Sequence, residues 1–299
     1  MSGSKVFTIL SFIFFASILL SSSQNLNRKV EWNTLKIMWG PDPLVSNDKV
    51  FIRQPRTVQQ ALQEGYSKLP NGLGDQCLGR TTVGHRYWKG NDSAAILLYD
   101  KQGTIAGIQI GFPRSVANRA FYSFDTQRMY NRETINGIDM YTATAYFVPP
   151  ATICSVGRTL SRLEHEGTGT GLFFQNGSNP LQDAVEVPLW ENDLGRTKWV
   201  PGACFKTMGR HYWYNNHLNL NCSEFLPAFI MYNKGQLNAF GWSIMANMKS
   251  SHRVESPSKA VLSSFLIPVP KCLFPIYDTL GGVSAMHLYF NTDPANLEC

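Results

Sequence analysis

Two stretches of the chain repeat one alternation of apolar runs and polar turns. In residues 94–112 an apolar run is interrupted by Asp100-Lys101-Gln102-Gly103 and resumes with β-branched and apolar residues; in residues 228–245 the same happens around Asn233-Lys234-Gly235. Glycine supplies the positive φ of tight hairpin turns, and Ile, Tyr and Phe suit a half-buried pleated surface, so both stretches are expected to be β-hairpins. The stretches that begin at His85, His211 and His287, each followed by aromatic residues, also read as strands. Helical periodicity is sparse. The best case is residues 57–69, where Thr57 and Gln60 fit a capping box and Val58, Ala61, Leu62, Tyr66 and Leu69 share one face. Residues 132–141 and 256–265 are further short helix candidates. The pattern predicts a β-dominated α+β fold.

The hairpins belong to a longer repeat. Cys77 is followed by Gly84-His85-Arg86-Tyr87-Trp88, and Cys204 by Gly209-Arg210-His211-Tyr212-Trp213. Downstream, Tyr146-Phe147-Val148-Pro149 precedes Cys154, and Phe265-Leu266-Ile267-Pro268 precedes Cys272. Leu172-Phe173-Phe174 then parallels Leu288-Tyr289-Phe290, which sets His287 opposite Gly171. Four blocks in one order imply an internal duplication, with halves over residues 57–185 and 186–299 forming one compact unit. Residues 24–56 have no repeat partner and read as an extended lead-in that Trp32 and Trp39 pack onto the body.

The amino end changes the picture. Residues 1–5 carry one lysine, residues 6–20 are apolar and uncharged, and Ser21 to Ser23 are small. This is the order of a signal peptide, residues 1–23, cleaved after Ser23. The apolar run falls short of the roughly 20 residues a membrane-spanning helix needs, so no membrane span is expected after cleavage, and the protein is expected to be secreted and extracellular. Six cysteines, Cys77, Cys154, Cys204, Cys222, Cys272 and Cys299, then predict three disulfides. The repeat suggests Cys77–Cys154 and Cys204–Cys272, leaving Cys222 to Cys299. Asn91, Asn176 and Asn221 each begin a glycosylation sequon.

The formal charge of +6 comes from scattered residues without a basic run, which argues against a nucleic-acid partner. The familiar nucleophile-elbow, zinc-helix, calcium-loop and phosphate-loop motifs are missing, and the sequence requires no cofactor. Gly167-Thr168-Gly169-Thr170-Gly171 reads as a flexible turn, and His165, between Glu164 and Glu166, as a solvated loop. The candidates for chemistry are His85, His211 and His287, which share an aromatic-flanked setting; meeting across a pseudo-twofold axis, imidazoles could act as acid and base or hold a metal. Tyr87, Trp88, Tyr212, Trp213 and Tyr289 are candidates to line a pocket, and also suit the core. These features favour an extracellular glycoprotein that binds a small molecule, glycan or protein. The competing reading is a secreted oxidoreductase or hydrolase acting on a small apolar or aromatic molecule. Convergence of the histidines in one pocket distinguishes the two.

Overall fold

The computed structural model describes residues 29–38, 50–69, 76–117, 122–248 and 251–299. The expected signal segment, its cleavage point and Trp39 lie outside these residues. Glu31–Cys299 forms one compact unit. Its strands are, in chain order, β1 (Lys36–Met38), β2 (Phe51–Arg53), β3 (Tyr66–Leu69), β4 (His85–Lys89), β5 (Ile96–Tyr99), β6 (Ile105–Pro113), β7 (Asn131–Ile135), β8 (Ile138–Tyr146), β9 (Leu172–Gln175), β10 (Ala184–Val187), β11 (Trp199–Phe205), β12 (Gly209–Tyr214), β13 (Ala228–Asn233), β14 (Gln236–Ile244) and β15 (Ser284–Tyr289). Helices are few and short: α1 (Val58–Gln63), α2 (Pro150–Ile153), α3 (Leu160–Glu166) and α4 (Leu273–Leu280). Among the described residues, no helix is long and apolar enough to cross a membrane. The fold is β-dominated.

The strands form two antiparallel sheets, ordered β3-β4-β5-β6-β8-β9-β10 and β11-β12-β13-β14-β15-β1-β2, with β7 also pairing β8. The lead-in thus supplies two strands of the second sheet. Both expected hairpins are present, β5–β6 and β13–β14, and each has a register shift at its tyrosine, between Leu98 and Tyr99 and between Met231 and Tyr232. The registers run in parallel across neighbouring strands. His85 pairs with Tyr99 as Arg210 pairs with Tyr232, and Gly107 pairs with Tyr146 as Ala239 pairs with Tyr289. Tyr99 donates its hydroxyl to the Pro55 carbonyl, and Tyr232 to that of Pro188. Each of these tyrosines meets an aromatic neighbour edge-on at 5.4 Å, Tyr87 and Tyr212 respectively.

Side chains alternate between sheet faces. One face of β14 carries Phe240 and Trp242, which pack on Phe174 of the first sheet at 5.7 Å each. Phe147 packs on Phe290 at 5.2 Å, and Trp32 stacks on Phe290 at 4.0 Å, as expected of a residue anchoring the lead-in. The opposite face of β14, with Gly241 and Ser243, turns away from this aromatic layer toward residues 255–277.

Five expectations about local structure are corrected. Helix α1 starts as read, with Thr57 Oγ1 accepting from Gln60 N–H at 3.2 Å, but it ends at Gln63. Gly65 takes φ +82°, and Tyr66–Leu69 pairs with β4 instead of completing the helix. Residues 132–141 are the β7–β8 hairpin, turned by Asn136 and Gly137 at φ +49° and +77°. Residues 256–265 hold only a short 3-10 segment, Lys259–Ser264. The glycine-rich stretch is a close-packed crossing, not a loose turn: a Cβ on Gly169 would lie 2.1 Å from the Phe147 carbonyl oxygen. His165 lies in the last turn of α3, beside the Arg162–Glu166 ion pair.

The disulfides are Cys77–Cys154, Cys204–Cys299 and Cys222–Cys272. The first is as expected; the other two exchange partners. Cys272 precedes α4, which packs over the second sheet beside the Cys222 turn, and the backbone hydrogen bond from Lys271 to Leu218 holds the two segments together. The carboxyl-terminal segment returns to the β11–β12 turn, where Thr207 N–H donates to the Leu297 carbonyl, and this brings Cys299 to Cys204.

Candidate functional site

The outer face of the second sheet carries His211 and Trp213 from β12, Phe229 from β13, Ser243 from β14, and Ala285 and His287 from β15. Residues 255–277 cover it, contributing Glu255, Leu262, Phe265, Leu266, Leu273 and Tyr277. Between them lies a cavity of about 40 Å³. The covering segment is tied down twice: Cys222–Cys272 holds its far end, and Glu255 exchanges two backbone hydrogen bonds with Ala285, at 2.7 and 2.9 Å.

That second tie sets the chemistry. It places the Glu255 side chain above His287, two residues along β15, and the carboxylate lies 2.8 Å from His287 Nδ1. In this contact the ring nitrogen is the donor and the carboxylate the acceptor. Both residues are buried, Glu255 at 1% exposure and His287 at 4%. The second carboxylate oxygen, Oε2, is buried without a partner.

His211 lies edge-on to His287, with ring centroids 5.9 Å apart. It is wholly buried, and neither ring nitrogen has a hydrogen-bond partner. Burial, reinforced by the neighbouring His287, pushes its pKa down to about 3. The backbone of Ala203 and Gly209 beside the ring pulls the other way, more weakly. His211 is therefore a neutral imidazole with one donor and one acceptor. The Tyr277 hydroxyl is also buried without a partner, and burial raises its pKa, so it stays protonated and can donate.

The matching positions in the first sheet are filled differently. By register, Arg86 answers to His211, Gln109 to Gly241 and Thr144 to His287. Arg86 donates to Gln109 at 3.3 Å and to Glu133 at 2.6 Å, and Gln109 donates to Thr144 at 3.1 Å. One sheet fills this position with a hydrogen-bonded network, in which Glu133 Oε1 lacks a partner; the other leaves four such atoms, two on His211 and one each on Glu255 and Tyr277, around a cavity. An open polar cleft lined by Arg80, Arg86, Arg132 and Glu133 lies beside the first network.

The structure thus brings together His211 and His287 but not His85, which sits on β4 of the other sheet. Of the aromatic candidates, Trp213 lines the cavity, and Tyr289 lies buried beside His287 with centroids 6.4 Å apart. Trp88 joins a cluster with Leu69 and Ile96 in the first sheet. Tyr87 and Tyr212 face away from the cavity, Tyr212 donating to Glu191 at 2.6 Å. His287 answers by register to Thr144, where the sequence blocks set it against Gly171. Glu255, Tyr277 and Ser243 had no sequence signal: each is a single residue whose role depends on a long-range crossing. Among the described residues no three His, Cys, Asp or Glu side chains gather to hold a metal ion. Of the sequons, Asn91 is exposed at positive φ, Asn176 is half-buried, and Asn221 accepts from Ser223 N–H at 3.1 Å beside the bridged Cys222.

The fold and site define a disulfide-bonded, two-sheet antiparallel β protein with a polar pair in an apolar chamber. No family model, curated protein or solved structure matches the chain.

Proposed function

We propose that this is a secreted, glycosylated protein of two related halves, in which the second half takes up a small, mainly apolar molecule with one or two hydrogen-bonding groups. One observation carries the reading. Both nitrogens of His211, Oε2 of Glu255 and the hydroxyl of Tyr277 are buried without partners, and all belong to residues lining one cavity. Buried polar groups are almost always satisfied, and each orphan costs about 1–3 kcal/mol. Several orphans around one apolar chamber fit a ligand that supplies the missing bonds. The parallel registers and paired tyrosine contacts of the two sheets support the duplication, and three disulfides are consistent with an oxidising, extracellular setting. Asn91 offers the most open glycan site.

The convergence of His211 and His287 favours acid–base capability over a passive pocket. Ligand-observed NMR with phenol, indole and short alkanoates tests the reading. Binding is expected for the native protein and is expected to disappear in Ala285→Leu, which fills the chamber. Binding that survives the plug places the site elsewhere.

A further inference from the structure

The chamber holds one more functional group. Ser243 on β14 pairs with Ala285 on β15, while Gly241 pairs with His287. Directly paired residues share a face, as do residues two apart in a strand. Ser243 and His287 therefore project from the same face, one diagonal step apart, a relation that brings Cβ atoms to roughly 7 Å. Ser243 is buried and lines the same cavity as Glu255, Tyr277 and His287. Its backbone N–H is taken by the Pro227 carbonyl, and its side chain lies on the cavity wall. From there it can turn toward Nε2 of His287, whose other nitrogen Glu255 already fixes.

Resting on the small-molecule reading above, we propose that Ser243, His287 and Glu255 form a nucleophile, base and carboxylate set that hydrolyses esters of short acyl groups. The same three roles recur on unrelated folds, recognised by geometry rather than sequence order. Ser243 Oγ bonds the acyl carbon and its proton passes to His287 Nε2. The ester C–O bond breaks and the alcohol leaves with that proton. A water then adds to the acyl-serine, giving its proton to His287; the bond to Oγ breaks, Ser243 regains a proton, and a carboxylic acid departs. Tyr277 and the neutral His211 N–H are the donors available to the acyl oxygen, at groups that otherwise have none. The chamber sets acyl size. The cavity is small, about 40 Å³, which favours a short acyl group over a long chain.

The test uses the full-length secreted protein with its disulfides intact. It is incubated with p-nitrophenyl acetate and p-nitrophenyl octanoate, and separately with a fluorophosphonate followed by peptide mapping. The expected result is turnover of the acetate over the octanoate and a single label on Ser243. Ser243→Ala should abolish the label and lower turnover by about 10³-fold or more. Ser243→Cys supplies a second variant, labelled by a thiol reagent at the same position. Unlabelled Ser243 in protein that still binds phenol overturns acyl transfer and leaves the binding site standing. Turnover unchanged in Ser243→Ala does the same. Loss of phenol binding in the native protein overturns both readings.

Discussion

Arg86 and His211 occupy the same register position in their two sheets, Arg86 opposite Leu98 and His211 opposite Met231, each beside the register shift of its hairpin. Both are buried, yet their surroundings are opposite in kind. Arg86 meets Glu133 and Gln109; His211 meets aromatic rings and no hydrogen-bond partner. One position is hydrogen-bonded, and the other is buried without a partner.

The Arg86 network is expected to be structural. Arg86→Met strips the charge partner from Glu133 and one donor from Gln109, and should cost roughly 2–5 kcal/mol. Calorimetry should show the loss, while binding at the second-sheet chamber, measured near 20 °C, stays unchanged. A selective loss of binding in still-folded protein would contradict this division of roles.

Acid stability reports on His211. Its folded pKa lies near 3, below the ordinary His value of 6.5. Between these values the unfolded chain binds the proton and the native protein does not, so the stability of the fold falls as pH drops from about 6.5 toward 3. Within that window the loss approaches 1.4 kcal/mol per pH unit. Urea unfolding from pH 7 to pH 4 should show a slope that is reduced by this amount in His211→Phe. Equal slopes in the two proteins would mean that His211 titrates normally.

The covering segment depends on Cys222–Cys272. Removing this bridge with the double variant Cys222→Ser, Cys272→Ser should cost about 2–5 kcal/mol, and speed ligand exchange more than removal of Cys204–Cys299. Non-reducing peptide mapping of the native protein should recover Cys204–Cys299 and Cys222–Cys272. A Cys204–Cys272 peptide would contradict the fold of the cover.

Much of the β framework was legible because its signals are local. Gly103 and Gly235 mark the hairpin turns, apolar runs flank them, and Thr57 caps the first helix. The misses have physical causes. Tyr66 and Leu69 have helical spacing from Val58, but Gly65 ends the helix and β4 offers Tyr66–Leu69 a hydrogen-bonding edge. In residues 132–141, the Asn136-Gly137 turn outweighs helical spacing. Half of the site was visible as His211 and His287, because histidine among aromatics is conspicuous. Glu255 was invisible, since only its bridge to Ala285 brings it over His287. The exchange of Cys222 and Cys299 partners had the same origin: it follows from which distant segments cover the second sheet.

The central claim is that the second sheet keeps orphaned polar groups at a cost to stability because a ligand uses them. The most direct measurement is the unfolding free energy of His211→Phe beside its binding of phenol. Replacing an unpartnered buried imidazole with a ring of similar size among Trp213, Phe229 and Phe265 should raise stability by about 1–3 kcal/mol, while phenol binding falls at least tenfold. A loss of stability comparable to that of Arg86→Met, with phenol binding intact, would show that His211 serves the fold and not a ligand.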